Sequence, residues 1–149
     1  MGGPGLIMTY REFLQGLQLT HFRAEEVTSQ GDRTRDGEDN SLPPSSMWPA
    51  MVRPLWVADM ARSRTGIPLT ITSAYRNESY NEAVGGAPHS AHKRNEALDL
   101  IPAGGRIDEL WRALVALRQG GAFKGGLGYY ARRFIHIDTR GTNATWGIG

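Results

Sequence analysis

The chain contains no cysteine. Disulfides, thiolate metal sites and thiol nucleophiles are thereby excluded together, and any bound metal has to draw on histidine and carboxylate side chains. Histidine is itself scarce, with four residues, at positions 21, 89, 92 and 136. Long apolar runs are missing as well. No stretch approaches the roughly 20 residues of a membrane-spanning helix, and the opening MGGPGLIMTYREF shows neither a basic leader nor the apolar segment of roughly 7 to 15 residues of a secretory signal. The expectation is a soluble protein made without an export signal, with no membrane as partner. Charge is nearly balanced: a net +2 with a sequence pI near 9.2 would assist contact with an anionic polymer. Arginines such as Arg62, Arg64, Arg132 and Arg133 read as solvated faces, so nucleic acid is not expected as a partner.

What is present suits one domain. Hydrophobic content of 40% and charged content of 21% are those of an ordinary soluble protein, and 149 residues suffice to bury a core without covalent staples. Phe13, Leu14 and Leu17 recur at helical spacing between Thr9 and Leu19. Residues 29–46, SQGDRTRDGEDNSLPPSS, are turn formers and charge with almost no apolar content, which predicts a surface loop. From Trp48 to Arg64 the residues Met51, Val52, Leu55, Trp56 and Met60 fall on one stripe that Gly66 ends, and Pro54 predicts that the regular helix begins there. IPLTITS (67–73) reads as a strand delivering its end into Tyr75 and Arg76, after which Asn77 can cap a short helix. ALDLI (97–101) is a second strand, residues 107–118 form the clearest amphipathic helix, and strands at 126–130 and 134–138 are close enough for a hairpin. This order lacks the regular alternation of a doubly wound sheet. It predicts an α+β fold with a small, largely antiparallel sheet flanked by helices.

The chemistry concentrates in two segments. In SAHKRNEALD, Asp99 follows His92 by seven residues. Ligand atoms on one tetrahedral ion lie about 3 to 4 Å apart. Seven residues of strand would separate these side chains by roughly 23 Å and seven of helix by roughly 10 Å, so the chain must turn back between them. Lys93 to Glu96 can supply that turn, because Asn95 is of the non-glycine type most tolerant of left-handed backbone. In RRFIHID, strand alternation sets Phe134, His136 and Asp138 on one face and Ile135 and Ile137 on the other. Two neutral imidazoles and one carboxylate leave a fourth position for water, the pattern of a catalytic zinc site.

These segments, together with TSAYR, YNEAVGGAPHSAH, ALDL, GGLGYY and FIHIDTRG in that order, resemble the zinc D-Ala-D-Ala metallopeptidases. Those are peptidoglycan carboxypeptidases and endopeptidases whose metal-site architecture is shared with lysostaphin and the hedgehog signalling domain. The resemblance runs from about Asn40 to Trp146. It implies that His92, Asp99 and His136 bind Zn2+ and that Arg76 holds a substrate carboxylate or carbonyl oxygen near the metal. Ser90 would contact substrate or support a ligand, or would be a simple turn hydroxyl. Two positions depart from the family pattern. Asn95 stands where glycine is common, and Arg133 occupies the place, three residues before the last zinc histidine, where carboxypeptidase members carry the general base. Asp138 is therefore the expected base or orienter of the zinc water, with a role in fixing an imidazole, or in replacing or supplementing a ligand, as the alternatives. His89 is a weaker candidate for proton shuttling, and His21 is expected to be structural.

The function so implied is zinc-dependent hydrolysis of an amide bond in the peptidoglycan peptide stem, as carboxypeptidase or endopeptidase, by a monomer. It would be cytoplasmic when made and would act on the wall after release, the setting of a phage or prophage lysis enzyme. The alternative is a zinc-containing but inactive peptidoglycan-binding or phage structural module.

Overall fold

A computed structural model describes residues 7–130 and 133–147. Helices α1 (Tyr10–Gln15) and α2 (Ala24–Thr28) precede a small hairpin of β1 (Thr34–Arg35) and β2 (Glu38–Asp39). Then come α3 (Val52–Thr65), β3 (Leu69–Ser73), α4 (Glu78–Ala83), β4 (Ala97–Pro102), α5 (Ile107–Gln119), β5 (Gly126–Tyr130), β6 (Phe134–Asp138) and β7 (Ala144–Trp146). Strands β3 to β7 form one sheet in the spatial order β3–β4–β6–β5–β7, antiparallel except that β7 runs parallel to β5. The fold is α+β.

Period-two alternation gives this sheet two different faces. Leu69 and Ile71 of β3, Leu98 and Leu100 of β4, Leu127 of β5, and Ile135 and Ile137 of β6 are buried in one core. Helix α5 meets them with Ile107, Leu110, Leu114 and Leu117, and α3 with Leu55, Ala58 and Ala61. The opposite face carries the polar residues. No described helix is long and apolar enough to cross a membrane.

Several elements differ from the sequence expectation. Helix α1 is shorter, because Gly16 ends it after a start fixed by Thr9 and Glu12, whose side chains and backbone N–H groups bond reciprocally. Residues 45–51 are a 3-10 turn and the α-helix begins at Val52, with Pro54 in its first turn, where a missing N–H costs nothing. Of the stripe expected along α3 and the turn before it, Met51 and Leu55 are buried in the core, but the rest differs. Trp56 and Met60 are exposed, and Pro54, Val57, Ala58 and Ala61 are buried instead. Residues 29–46 lie at the surface but are not a plain loop: Asp36-Gly37 turns the β1–β2 hairpin, with both residues at positive φ. Buried Gln30 and Asn40 anchor it, Gln30 Nε2 donating to the Ile71 carbonyl and Asn40 Nδ2 to those of Gln30 and Tyr75. Of the arginines read as solvated, Arg62 is half-buried, donates to the His21 carbonyl and sits over the Phe22 ring, whereas Arg132 lies outside the described residues.

Candidate metal centre

The register of the sheet brings one residue from each of its five strands into a single transverse row. Ser73 of β3 pairs with Asp99 of β4, Asp99 with His136 of β6, His136 with Gly128 of β5, and Gly128 with Trp146 of β7. Asp99 and His136 are thus neighbours by strand pairing alone. His92 joins them from outside the sheet, on a 3-10 turn, Ala91–Arg94, that leads into β4.

That turn reverses as the spacing requires. Asn95 takes left-handed backbone, φ 60° and ψ 33°, and its N–H donates to the His92 carbonyl at 3.2 Å. A glycine could adopt the same angles, but the asparagine side chain adds a function: fully buried, its Nδ2 donates to the Met47 carbonyl at 2.9 Å and to the Tyr10 hydroxyl at 3.3 Å. The turn is thereby fastened to the N-terminal helix. Ser90 Oγ accepts the His92 N–H at 3.2 Å, the turn-hydroxyl role, and also lines the cleft.

The three donor groups converge. Asp99 Oδ1 lies 3.2 Å from His92 Nε2 and 3.1 Å from His136 Nδ1, separations that fit donor atoms sharing one ion at about 2 Å each. A hydrogen bond at the far side of each ring fixes which nitrogen faces inward. His92 Nδ1–H donates to the Ala74 carbonyl at 2.6 Å, leaving the Nε2 lone pair free. His136 does the reverse: Nε2–H donates to Asp138 Oδ2 at 2.8 Å and Nδ1 faces Asp99. Burial drives the His92 pKa down despite the attraction of Asp99, which favours the neutral, ligating form. Burial would raise Asp99, but the two histidines outweigh it and hold the carboxyl below the usual carboxylate range. For His136, burial is outweighed by its hydrogen bonds to Asp138 and Asp99, and the pKa rises.

Asp138 stands behind His136, fully buried, and does not line the cleft. Its Oδ1 accepts the Gly126 N–H at 2.8 Å, and Arg140 grips it with two bonds of 2.9 and 2.7 Å. These bonds and that from His136 overcome the effect of burial and lower its pKa. This is the geometry of a carboxylate that fixes an imidazole, one of the alternative roles raised for it. Arg76 reaches the centre: its Nη2 lies 3.5 Å from Asp99 Oδ2, its Nε donates to Ser73 Oγ at 3.1 Å and its Nη1 to Asn81 Oδ1 at 3.3 Å.

The donors open into a cleft of about 450 Å³. Residues 84–90, including exposed His89, form one side, and Tyr130, Phe134, Arg140 and Trp146 contribute another. His21 is elsewhere, its ring 2.9 Å from Ser63 Oγ on α3. Arg133 is exposed and is not among the cleft residues. Sequence reasoning overlooked Asn40, Asn81, Arg140 and Trp146. For Trp146 a signal existed in Gly126-x-Gly128, since glycines spaced by two within a strand mark a close approach on one face.

Two imidazoles and a carboxylate, with the imidazoles oriented by hydrogen bonds and the group facing an open cleft, form a donor set that could hold one metal ion. Compared with protein-family models, the chain matches Peptidase M15 over residues 20–138, and it belongs to this family of zinc D-Ala-D-Ala metallopeptidases. No curated protein matches the chain.

Proposed function

We propose that the protein is a zinc-dependent peptidoglycan peptidase that hydrolyses an amide bond in the peptide stem. The observation that carries this reading is the convergence of His92 Nε2, His136 Nδ1 and Asp99, with each imidazole oriented by a hydrogen bond on its far side, at the floor of a cleft that Arg76 also lines. Zinc, when bound by these three residues, would acidify water and polarise an amide carbonyl. The chain's own residues do the rest. Asp99 stays ionised beside the two imidazoles, and Asp138 acts through His136 as a positioning group. Arg76, braced by Ser73 and Asn81, presents its guanidinium to a substrate oxygen and stabilises charge that develops there. The only carboxylate among the described cleft residues is Asp99. We therefore assign proton transfer to His89, whose imidazole lines the cleft and is not engaged as a ligand.

The test is mass spectrometry of muropeptides released from purified peptidoglycan by the zinc-loaded wild type and by His92→Ala. The wild type should release fragments that name the bond cut, whether at a terminal D-Ala or within the stem, and the variant should release at most about a thousandth as much. Identical products from both would reject the reading. The exposed Arg133, at the position where a base is expected, favours a second reading, an inactive zinc-containing wall-binding module. Bound zinc with no fragments released at any pH would select it.

A further inference from the structure

Resting on the peptidase reading, we propose that Trp146 holds Tyr130 and Arg140 as a second, carboxylate-binding subsite on the β7 side of the cleft, so that the substrate carries a free carboxylate there in addition to the group met by Arg76. The transverse row explains the placement. Asp99 and His136 occupy the two middle positions, Ser73 with Arg76 lies toward the β3 edge, and Trp146 lies at the β7 edge. Between His136 and Trp146 stands Gly128, and the indole fills the space its missing side chain leaves. A Cβ on Gly128 would stand 2.4 Å from Trp146 Nε1, and one on Gly126 would stand 2.7 Å from the indole Cη2.

Laid on this glycine floor, the indole fixes two donors. Its Nε1–H donates to the Tyr130 hydroxyl at 2.9 Å, so the phenol's own proton has no partner among the described residues. Phe134 stacks on the Tyr130 ring at 4.5 Å and 5°, which sets the direction of the phenol. The Arg140 guanidinium lies 5.3 Å from the indole centroid. Its Nε and Nη2 are taken by Asp138, and its Nη1 has no hydrogen-bond partner among the described residues. Tyr130 and Arg140 both line the cleft.

One neutral and one cationic donor, set around a single rigid ring, are the donor types from which the two oxygens of a carboxylate accept hydrogen bonds. The charge of the cleft agrees, because among the described residues no acid other than Asp99 lines it to oppose an incoming anion. The dimensions agree as well. Four strand spacings separate β3 from β7, roughly 19 Å, the reach of about five or six extended residues. A chain lying across the row would continue on both sides of the metal-binding residues, with Arg76 on one side and Arg140 with Tyr130 on the other.

Synthetic stem peptides identical except for one carboxylate, free in one and carboxamide in the other, test this against the zinc-loaded protein. For one of the stem's carboxylates, wild type should favour the free acid by about tenfold or more in kcat/KM. Tyr130→Phe, which keeps the stacked ring and removes only the O–H, should cut that preference to about threefold. Arg140→Gln should abolish it, with zinc content measured first because Arg140 also supports Asp138. If neither peptide is cleaved, the peptidase reading is at fault, and the subsite is judged by the ratio of Kd values for the same pair in calorimetric titration. An acid-to-amide ratio near one at every carboxylate in wild type, or a ratio unchanged in Tyr130→Phe, overturns the subsite.

Discussion

A histidine serves as a metal ligand only when a lone pair points at the ion, and the two imidazoles here turn opposite nitrogens, His92 Nε2 and His136 Nδ1, toward Asp99. His92 is set by a main-chain carbonyl, which no substitution of Ala74 removes, whereas His136 depends on the Asp138 side chain. Asp138→Asn should therefore lower zinc affinity by about 10- to 100-fold, read by competition with a chelator. His89→Ala should leave that affinity unchanged and lower kcat by about 100-fold or more. The opposite pattern, with Asp138→Asn affecting kcat alone, would exchange the two roles. A third residue reports on stability. Burial, only partly offset by the hydrogen bond from Asn95, pushes the Tyr10 phenol up to about 12. A pKa raised in the folded state means that the stabilisation is fully present below about pH 10 and is lost as pH rises toward 12. Two pKa units correspond to about 2 to 3 kcal/mol. Urea denaturation at pH 8 and pH 11.5 should show wild type losing more stability than Tyr10→Phe over that interval, and equal losses would contradict the assignment.

At the scale of elements, the glycines of β5 determine what can lie over the polar face of the sheet. Gly128→Ala places a methyl group against the indole nitrogen, and the flexible side chain, not the strand, must yield. The expected outcome is a folded protein destabilised by about 1 to 3 kcal/mol, with altered tryptophan fluorescence as Trp146 leaves Tyr130. An unchanged spectrum would show that the indole is not seated there. Elements with strong periodicity were legible from sequence. Helix α5 and strands β3, β4, β5 and β6 fall within one or two residues of expectation, because apolar spacing and flanking glycine agree there. Strand β7 was not legible: three residues give no period, and its place beside β5 is a tertiary contact. The β1–β2 hairpin had its signal in Asp36-Gly37, but the flanking charges hid it among turn formers. The stripe of α3 was legible at Met51 and Leu55 but not at its other positions, because bulky Trp56 and Met60 outweighed the small Ala58 and Ala61 that the core takes.

For the molecule as a whole, the candidate site was more legible than the fold around it. Metal-ligand chemistry restricts residue types sharply in a chain without cysteine, and strand alternation alone set His136 apart from Ile135 and Ile137. Asn95 was legible as the left-handed turn. The identity of the partners behind the ligands was not, because the Ala74 carbonyl, the Arg140 fork and the Asn40 anchor depend on register between distant segments. The same register makes the central claim specific at atomic level. A crystal grown with zinc and measured at the zinc absorption edge should give one anomalous peak at about 2 Å from His92 Nε2, His136 Nδ1 and an Asp99 oxygen, with a further position open to the cleft. A peak bound through His136 Nε2, a peak away from these three residues, or a fourth protein ligand closing the cleft side would contradict it.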